Sequence, residues 1–260
     1  MKRIIFLNIL ITATLTSCIK DFVCIKGNGV TETEIRPVNT FTSIENSTPF
    51  DVIYHKADTT GLIVKAEVNI LPHIITETYN NTLELRTSPT HACFDYTERP
   101  VIMVTSPGLS KVLLSGSGDI IADEMSGPAL SIRLSGSGNI TAGQLLSETK
   151  LNIALSGSGD IYAENVFCNE AEFDLSGAGN ISVNGSGNLG LMRISGSGNI
   201  YSADFILNSL SAVISGSGNI FTTVEETLSA ILSGSGNIYL KGNPQILETV
   251  SGSGRIIKYR

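Results

Sequence analysis

The sequence predicts an all-β chain whose larger part is a parallel β-helix, a solenoid of about 20 residues per coil. Three observations predict it. The hexapeptide Ser-Gly-Ser-Gly-(Asn/Asp)-Ile starts at Ser115, Ser135, Ser156, Ser176 (with Ala178 for the second Ser), Ser195, Ser215, Ser233 and Ser251 (with Arg255 in the Asn place), in steps of 20, 21, 20, 19, 20, 18 and 18 residues. Aliphatic residues stand at fixed offsets on both sides of it. Each repeat also carries two glycines, and each would cost about 1 kcal/mol inside a helix, so an α-solenoid is excluded.

Residues 1–17 read as a lipoprotein signal peptide. Lys2 and Arg3 form a basic start, and Ile4 to Leu15 form an apolar run broken only by Asn8, Thr12 and Thr14. That run is too short to span a bilayer. Leu15-Thr16-Ser17-Cys18 resembles the bacterial lipobox. The resemblance implies cleavage before Cys18 and diacylglycerol on its sulfur, so the membrane would be a partner through the lipid. Buried acyl chains contribute about 0.8 kcal/mol per CH₂ to such anchoring. Residues 18–35 read as a tether, since Gly27-Asn28-Gly29 and Thr31-Glu32-Thr33-Glu34 have little to bury.

Residues 36–108 form a β-rich capping segment without the repeat. Asp51 to His55, Leu62 to Val68, Thr82 to Arg86 and Pro100 to Thr105 carry strand signals, and the third alternates cleanly. Asn80-Asn81 marks a turn. Asn69 to Ile75 predicts one helical turn capped by Asn69. With Cys18 lipidated, three other cysteines remain (Cys24, Cys93 and Cys168), and export permits disulfides. Cys24 and Cys93 flank the non-repeat region and could pair, though an odd count leaves the pairing open. Cys168 reads as a small core residue.

Residues 109–260 form the repeat β-helix. Five residues after each first Ser stands Ile120, Ile140, Ile161, Ile181, Ile200, Ile220, Ile238 or Ile256. One residue before it stands Leu114, Leu134, Leu155, Leu175, Ile194, Ile214, Leu232 or Val250. Three residues before it stand Val112, Ile132, Ile153, Phe173, Met192, Ala212, Ala230 and then Glu248, and the column two before is mixed, with Arg133, Asp174, Arg193 and Thr249 among it, as inside–outside alternation requires. Each repeat is therefore expected to be strand, tight glycine turn, strand and a looser polar return. Coils stacked at about 4.8 Å make the repeat section about 34 Å long, with the isoleucines forming a core ladder.

The turn column is Asp119, Asn139, Asp160, Asn180, Asn199, Asn219 and Asn237. Asn tolerates left-handed angles and bonds turn backbone, and stacked amides can bond the coils above and below. This structural reading outweighs a calcium reading. The period is about 20 rather than nine, only two of seven ladder residues are acidic, and a hard cation wants more oxygen ligands. The Ser columns offer either a polar surface or small residues where backbones stack closely, and the second is favoured. Glu248 and Arg255 interrupt their columns, so the last coil is expected to act as a cap.

Function classes are bounded by composition. The 260 residues carry 17 basic and 24 acidic side chains, a net charge of −7. Loss of Lys2 and Arg3 makes it 15 minus 24, or −9. An acidic chain without a basic stripe argues against nucleic acid and against electrostatic docking to anionic lipid. His55, His73 and His91 lie outside the repeats, and no nucleophile elbow accompanies them. The glycine motif repeats without Lys, unlike a phosphate loop. Asp123-Glu124 and Glu225-Glu226 read as solvated rim charges. No catalytic residue, metal or cofactor is expected.

The tandem Ser-Gly-Ser-Gly-Asn-Ile coils after a β-rich segment (Phe41 through Arg86) resemble the bacterial auto-transporter adhesin family with a head GIN domain, a domain of unknown function. The resemblance covers residues 36 to 260. It implies a right-handed parallel β-helix at the surface or in the periplasm of a Gram-negative bacterium, and it brings no catalytic residues. No barrel-forming domain follows Arg260, so secretion through a barrel of its own is not expected. The expected function is a non-enzymatic, lipid-anchored outer-membrane protein that binds a surface glycan or protein. The alternatives are a polysaccharide-active enzyme, by fold analogy, and a purely structural envelope protein. Aromatics are few in the repeats (Tyr162, Phe167, Phe173, Tyr201, Phe205, Phe221, Tyr239 and Tyr259), Phe173 falls in a core column, and sugar stacking would need others of them on one outer face.

Overall fold

The computed structural model describes residues 24–90 and 92–259. The signal peptide, Cys18, the first part of the expected tether and His91 lie outside the described residues. The N-terminal part contains β1 (Ile25–Lys26), β2 (Thr31–Ile35), β3 (Ser43–Asn46), β4 (Asp51–Lys56), β5 (Gly61–Glu67), a one-turn 3-10 helix (Leu71–His73), β6 (Ile74–Tyr79), β7 (Thr82–Thr87), β8 (Phe94–Asp95) and β9 (Val101–Ser106). The repeats supply β10 (Lys111–Leu114), β11 (Ile120–Leu134), β12 (Ile140–Leu155), β13 (Ile161–Leu175), β14 (Ile181–Ile194), β15 (Ile200–Ile214), β16 (Ile220–Leu232), β17 (Ile238–Lys241), β18 (Gln245–Val250) and β19 (Ile256–Lys258). All but β1 and β8 belong to one 17-stranded sheet, and the repeat strands pair in parallel, coil on coil. The chain is an all-β parallel solenoid of about 20 residues per turn.

The registers place like on like. Ile120 lies beside Ile140, then Ile161, Ile181, Ile200, Ile220, Ile238 and Ile256. All are 0% exposed except Ile256, which is part-buried at the last coil. The return differs from the expected loose segment. β11 to β16 run 13–16 residues each and carry ladder bonds around the return, with register shifts such as that between Gly127 and Ala129. A backbone stacked between two others has no water to satisfy it, so the ladder must continue, and bulges supply the bends. Glycines of β14 leave space inside the return. Phe205 and Leu207 fill it, close enough that a Cβ on Gly187 or Gly190 would meet them.

The motif glycines work by close approach rather than by left-handed angles. None of them is among the positive-φ residues. A Cβ on Gly136 would meet the carbonyl oxygen of Gly116, and one on Gly157 that of Gly136, in each case backbone that cannot swing aside.

Solenoid winding starts before its signature. Asn46-Ser47-Thr48-Pro49-Phe50-Asp51-Val52 lies under Leu114-Ser115-Gly116-Ser117-Gly118-Asp119-Ile120, with Asn46 opposite Leu114 and Val52 opposite Ile120. Its corner is built differently. Asn46 Oδ1 accepts from Thr48 N and Thr48 Oγ1, and its Nδ2 donates to Phe50 O. The next layer out, β7 and β9, is joined by residues 88–100 rather than by a tight corner, so no backbone stacks there. Phe50 uses that room, its ring 5.0 Å from Phe94.

Two expectations for the N-terminal part are corrected. From Cys24 onward the expected tether is part of the fold: Cys24 is disulfide-bonded to Cys93, β1 pairs with β8, and β2 pairs antiparallel with β5. β2 is exposed throughout, so it covers a sheet edge with alternating Thr and Glu rather than filling a core. Asn69 does not cap the 3-10 helix. Its Nδ2 donates to Lys26 O, and its Oδ1 accepts from Asn28 N. At the far end, the last coil lies over the core of the one before it: Leu232, Ile238 and Leu240 are 0% exposed beneath β18 and β19, while Val250 and Glu248 are exposed and Ile246 and Ile256 part-buried.

Candidate functional site

The turn column is a continuous hydrogen-bonded ladder. Each side-chain oxygen accepts the backbone N–H of the next coil, at distances between 2.7 and 3.1 Å. The series runs from Asp51 to Asp119, then Asn139, Asp160, Asn180, Asn199, Asn219, Asn237 and finally Arg255. Asn139, Asn180, Asn199, Asn219 and Asn237 also donate Nδ2 to the oxygen beneath. The column needs an acceptor at every step, which Asp and Asn both supply. These oxygens are thereby used within the fold. A second ladder escaped the sequence reading. Asn188 Nδ2 donates to Asn169 Oδ1 at 3.3 Å, and Asn208 Nδ2 to Asn188 Oδ1 at 3.0 Å. Its signal was the spacing of 19 and 20 residues, close to the period.

The outward position after each ladder isoleucine forms a stripe along the solenoid. It runs Ile121, Thr141, Tyr162, Ser182, Tyr201, Phe221, Tyr239 and Ile257, and continues into the N-terminal part through Ile53, Met103 and Ile63. Tyr162 and Tyr201 are each 42% exposed. Parallel pairing puts identical positions one strand spacing apart, so aromatic neighbours in one column must stack. Tyr201 and Phe221 lie 5.0 Å apart at 19°, and Phe221 and Tyr239 lie 4.5 Å apart at 5°. Where Ser182 interrupts the column there is a groove of about 350 Å³ lined by Tyr162, Glu164, Ser182, Asn184, Tyr201 and Asp204 among others. The Asp160 carboxylate raises the Tyr162 phenol above its usual range, and the protonated phenol donates to Asp160 Oδ2 at 3.2 Å.

Several other charged groups are engaged in pairs or networks. Lys150, Glu172, Arg193 and Asp174 form a network across three coils. Hydrogen bonds from Lys150 and Arg193 hold the Glu172 carboxyl below its usual range. Asp123 accepts from Lys56 N and meets His55 Nδ1 at 3.1 Å, while Glu124 pairs with Lys56 Nζ at 2.5 Å. Glu225 and Glu226 are exposed. His73 meets Ser88 O. Cys168 is half-buried, and burial pushes its thiol up to about 11, so it stays protonated. Among the described residues no group of three His, Cys, Asp or Glu is placed to hold a metal ion. The Ser columns line the outer corner; Ser115, Ser117, Ser135 and Ser137 border a shallow groove with Ser47 and Arg86.

A parallel β-solenoid whose polar corners are consumed by its own ladders, and whose outer face carries an aromatic stripe, defines a class of protein that displays a surface. The chain belongs to the family described as "Putative auto-transporter adhesin, head GIN domain", whose model matches residues 40–244. It is similar to a crystal structure described as a "Putative lipid binding protein" from Parabacteroides distasonis, at 27% identity and TM-score 0.83, covering 91% of this chain and 99% of that one. It is also similar to a putative adhesin from Bacteroides fragilis, at 25% identity and TM-score 0.70, covering 90% of this chain and 100% of that one. A putative adhesin from Parabacteroides merdae, at 21% identity and TM-score 0.82, covers 91% of this chain and 99% of its own, and shows the shared fold. No curated protein matches the chain.

Proposed function

We propose that the chain is a non-enzymatic, lipid-anchored protein of the cell envelope of a Gram-negative bacterium, and that its solenoid binds a glycan or protein along the outer stripe. The observation that carries the reading is that stripe, aromatic or aliphatic at every coil from Ile121 to Ile257 except Thr141 and Ser182, with Ile121, Tyr162, Tyr201 and Ile257 exposed. Exposed contiguous apolar surface marks interaction sites. The Asp and Glu side chains beside it disfavour anionic lipid headgroups. Cys18, at the end of the lipobox-like run, supplies the anchor.

Two measurements test the two halves. Labelled palmitate should enter the wild-type chain and not Cys18→Ser; incorporation into both would remove the anchor. The chain should adhere to envelope preparations or glycan arrays, and Tyr201→Ala with Phe221→Ala should weaken that adhesion. Adhesion indifferent to both substitutions would move binding off the stripe.

A further inference from the structure

We infer that the break in the aromatic column at Ser182 is a binding slot for one neutral pyranose ring of a glycan. The inference rests on the reading that this face binds a ligand, and it names the ligand class and the place.

The geometry begins with register. Tyr162 pairs with Ser182, and Ser182 with Tyr201, so the two tyrosines are two strand steps apart, about 9.6 Å. Further along the same column, rings stack at 5.0 and 4.5 Å with their planes nearly parallel. Ser182 therefore leaves a vacancy one ring thick. Tyr201 is covered by Phe221 on one face at 5.0 Å, and its other face borders the slot. Tyr162 is fixed on the opposite side by its hydrogen bond to Asp160. The side chain of Ser182 is too short to fill the floor between them.

The rim decides what kind of ring enters. Glu164, Asn184 and Asp204 line the groove and are exposed. Each sits beside a register shift, between Ala163 and Val166, Ser182 and Asn184, and Ser202 and Ile206. Bulges of this kind re-aim side chains at binding sites. Asn184 Oδ1 accepts from Asn165 N at 2.7 Å, which ties the amide to the neighbouring coil. No Lys or Arg lines the groove. Two carboxylates that form no ion pair among the described residues are strong acceptors for hydroxyl donors and repel anions. A saturated ring with C–H faces for the tyrosines and equatorial hydroxyls for the carboxylates meets both demands. A uronate or sulfated sugar meets only the first.

The test uses the full chain, saturation-transfer NMR and four neutral disaccharides (lactose, maltose, mannobiose and chitobiose), with digalacturonate as the anionic control. Saturation transfer is expected from at least one neutral sugar and not from digalacturonate. Ser182→Tyr should complete the stack, keep the wild-type circular dichroism spectrum and abolish the transfer, and Ser182→Ala should preserve it. Tyr201→Ala should weaken binding about tenfold, the worth of one aromatic stacking contact. Binding that survives Ser182→Tyr, equal transfer from digalacturonate, or no transfer from any neutral sugar overturns the slot. So does transfer from N-acetyl-tyrosine amide alone, which would assign it to a protein side chain. Retained adhesion to envelopes alongside any of these results leaves the broader binding role standing; loss of both removes the two together.

Discussion

The two ends of the solenoid solve the same problem in opposite ways. At the N-terminal end, β5 turns antiparallel to β9, β6 antiparallel to β7, and β2 covers the edge of β5. Ile70, Leu71 and Ile74 close the core beneath them. A disulfide links Cys24 to Cys93, and the Glu67 carboxylate, itself buried, accepts from Gly29 N, Thr97 N and Thr97 Oγ1. At the C-terminal end the last coil simply lies on its neighbour. β18 and β19 leave one edge unpaired, and only Glu248 and Lys258 put charge over the core columns. One end is closed by topology and cross-links. The other is ended by sequence, through residues that cannot pass the column on.

The largest test of that contrast removes the cross-link. The disulfide spans a sequence separation of 69 residues, for which loop-closure entropy gives about 4 kcal/mol. Cys24→Ser with Cys93→Ser should lower the denaturation midpoint accordingly, with lost amide protection concentrated in β1, β2 and β8. An unchanged midpoint would mean that β2 and the Glu67 contacts close the end without it.

Truncating the core ladder should separate middle from end. Ile161→Ala, at a fully buried position, should cost about 3 kcal/mol. Ile256→Ala, part-buried in the last coil, should cost under about 1 kcal/mol. Equal costs in urea titrations would show that something covers the C-terminal mouth in solution.

A pH-confined effect comes next. Hydrogen bonds, first from Gly29 N and then from Thr97, hold Glu67 below the usual carboxylate range. Its contribution is therefore present above the unfolded value of about 4.3, and is lost as pH falls through the lower folded value. Melting curves of the wild type should drop across that acid window, and Glu67→Gln should be less stable at neutral pH with a flatter profile. Parallel profiles would show that Glu67 is not the linked group.

How much of this could be read beforehand differs along the chain. Where one coil repeats another, period and alternation were enough: the Ile column and the aliphatic column before each Ser were legible because stacking puts the same demand on every coil. The aromatic stripe was present in the sequence as Tyr162, Tyr201, Phe221 and Tyr239, but its meaning depends on the register that turns equal offsets into stacked rings. The coil at Asn46 to Val52 was invisible because its corner replaces glycine with an Asn side chain and Phe50, a solution open only where no further corner stacks on it. β2 was misread because a strand that covers an edge needs backbone donors rather than apolar side chains.

The smallest effect lies at the very end of the turn ladder. Arg255 donates its N–H to Asn237 Oδ1 at 3.0 Å, yet its own side chain has no acceptor to offer. The ladder stops there for a chemical reason, at the coil where the sheet also stops. Arg255→Asn would restore an Nδ2 donor toward Asn237, as in Asn237 itself, which reaches Asn219 Oδ1 at 3.3 Å. It would also leave an unfilled acceptor facing out along the axis. Since the position is exposed, monomer stability should rise by no more than about 0.5 kcal/mol. The charge that helps blunt the open edge would be gone, so self-association should increase with protein concentration in sedimentation velocity. Increased stability without association would assign Arg255 to the ladder alone, and association without a stability change would assign it to guarding the edge.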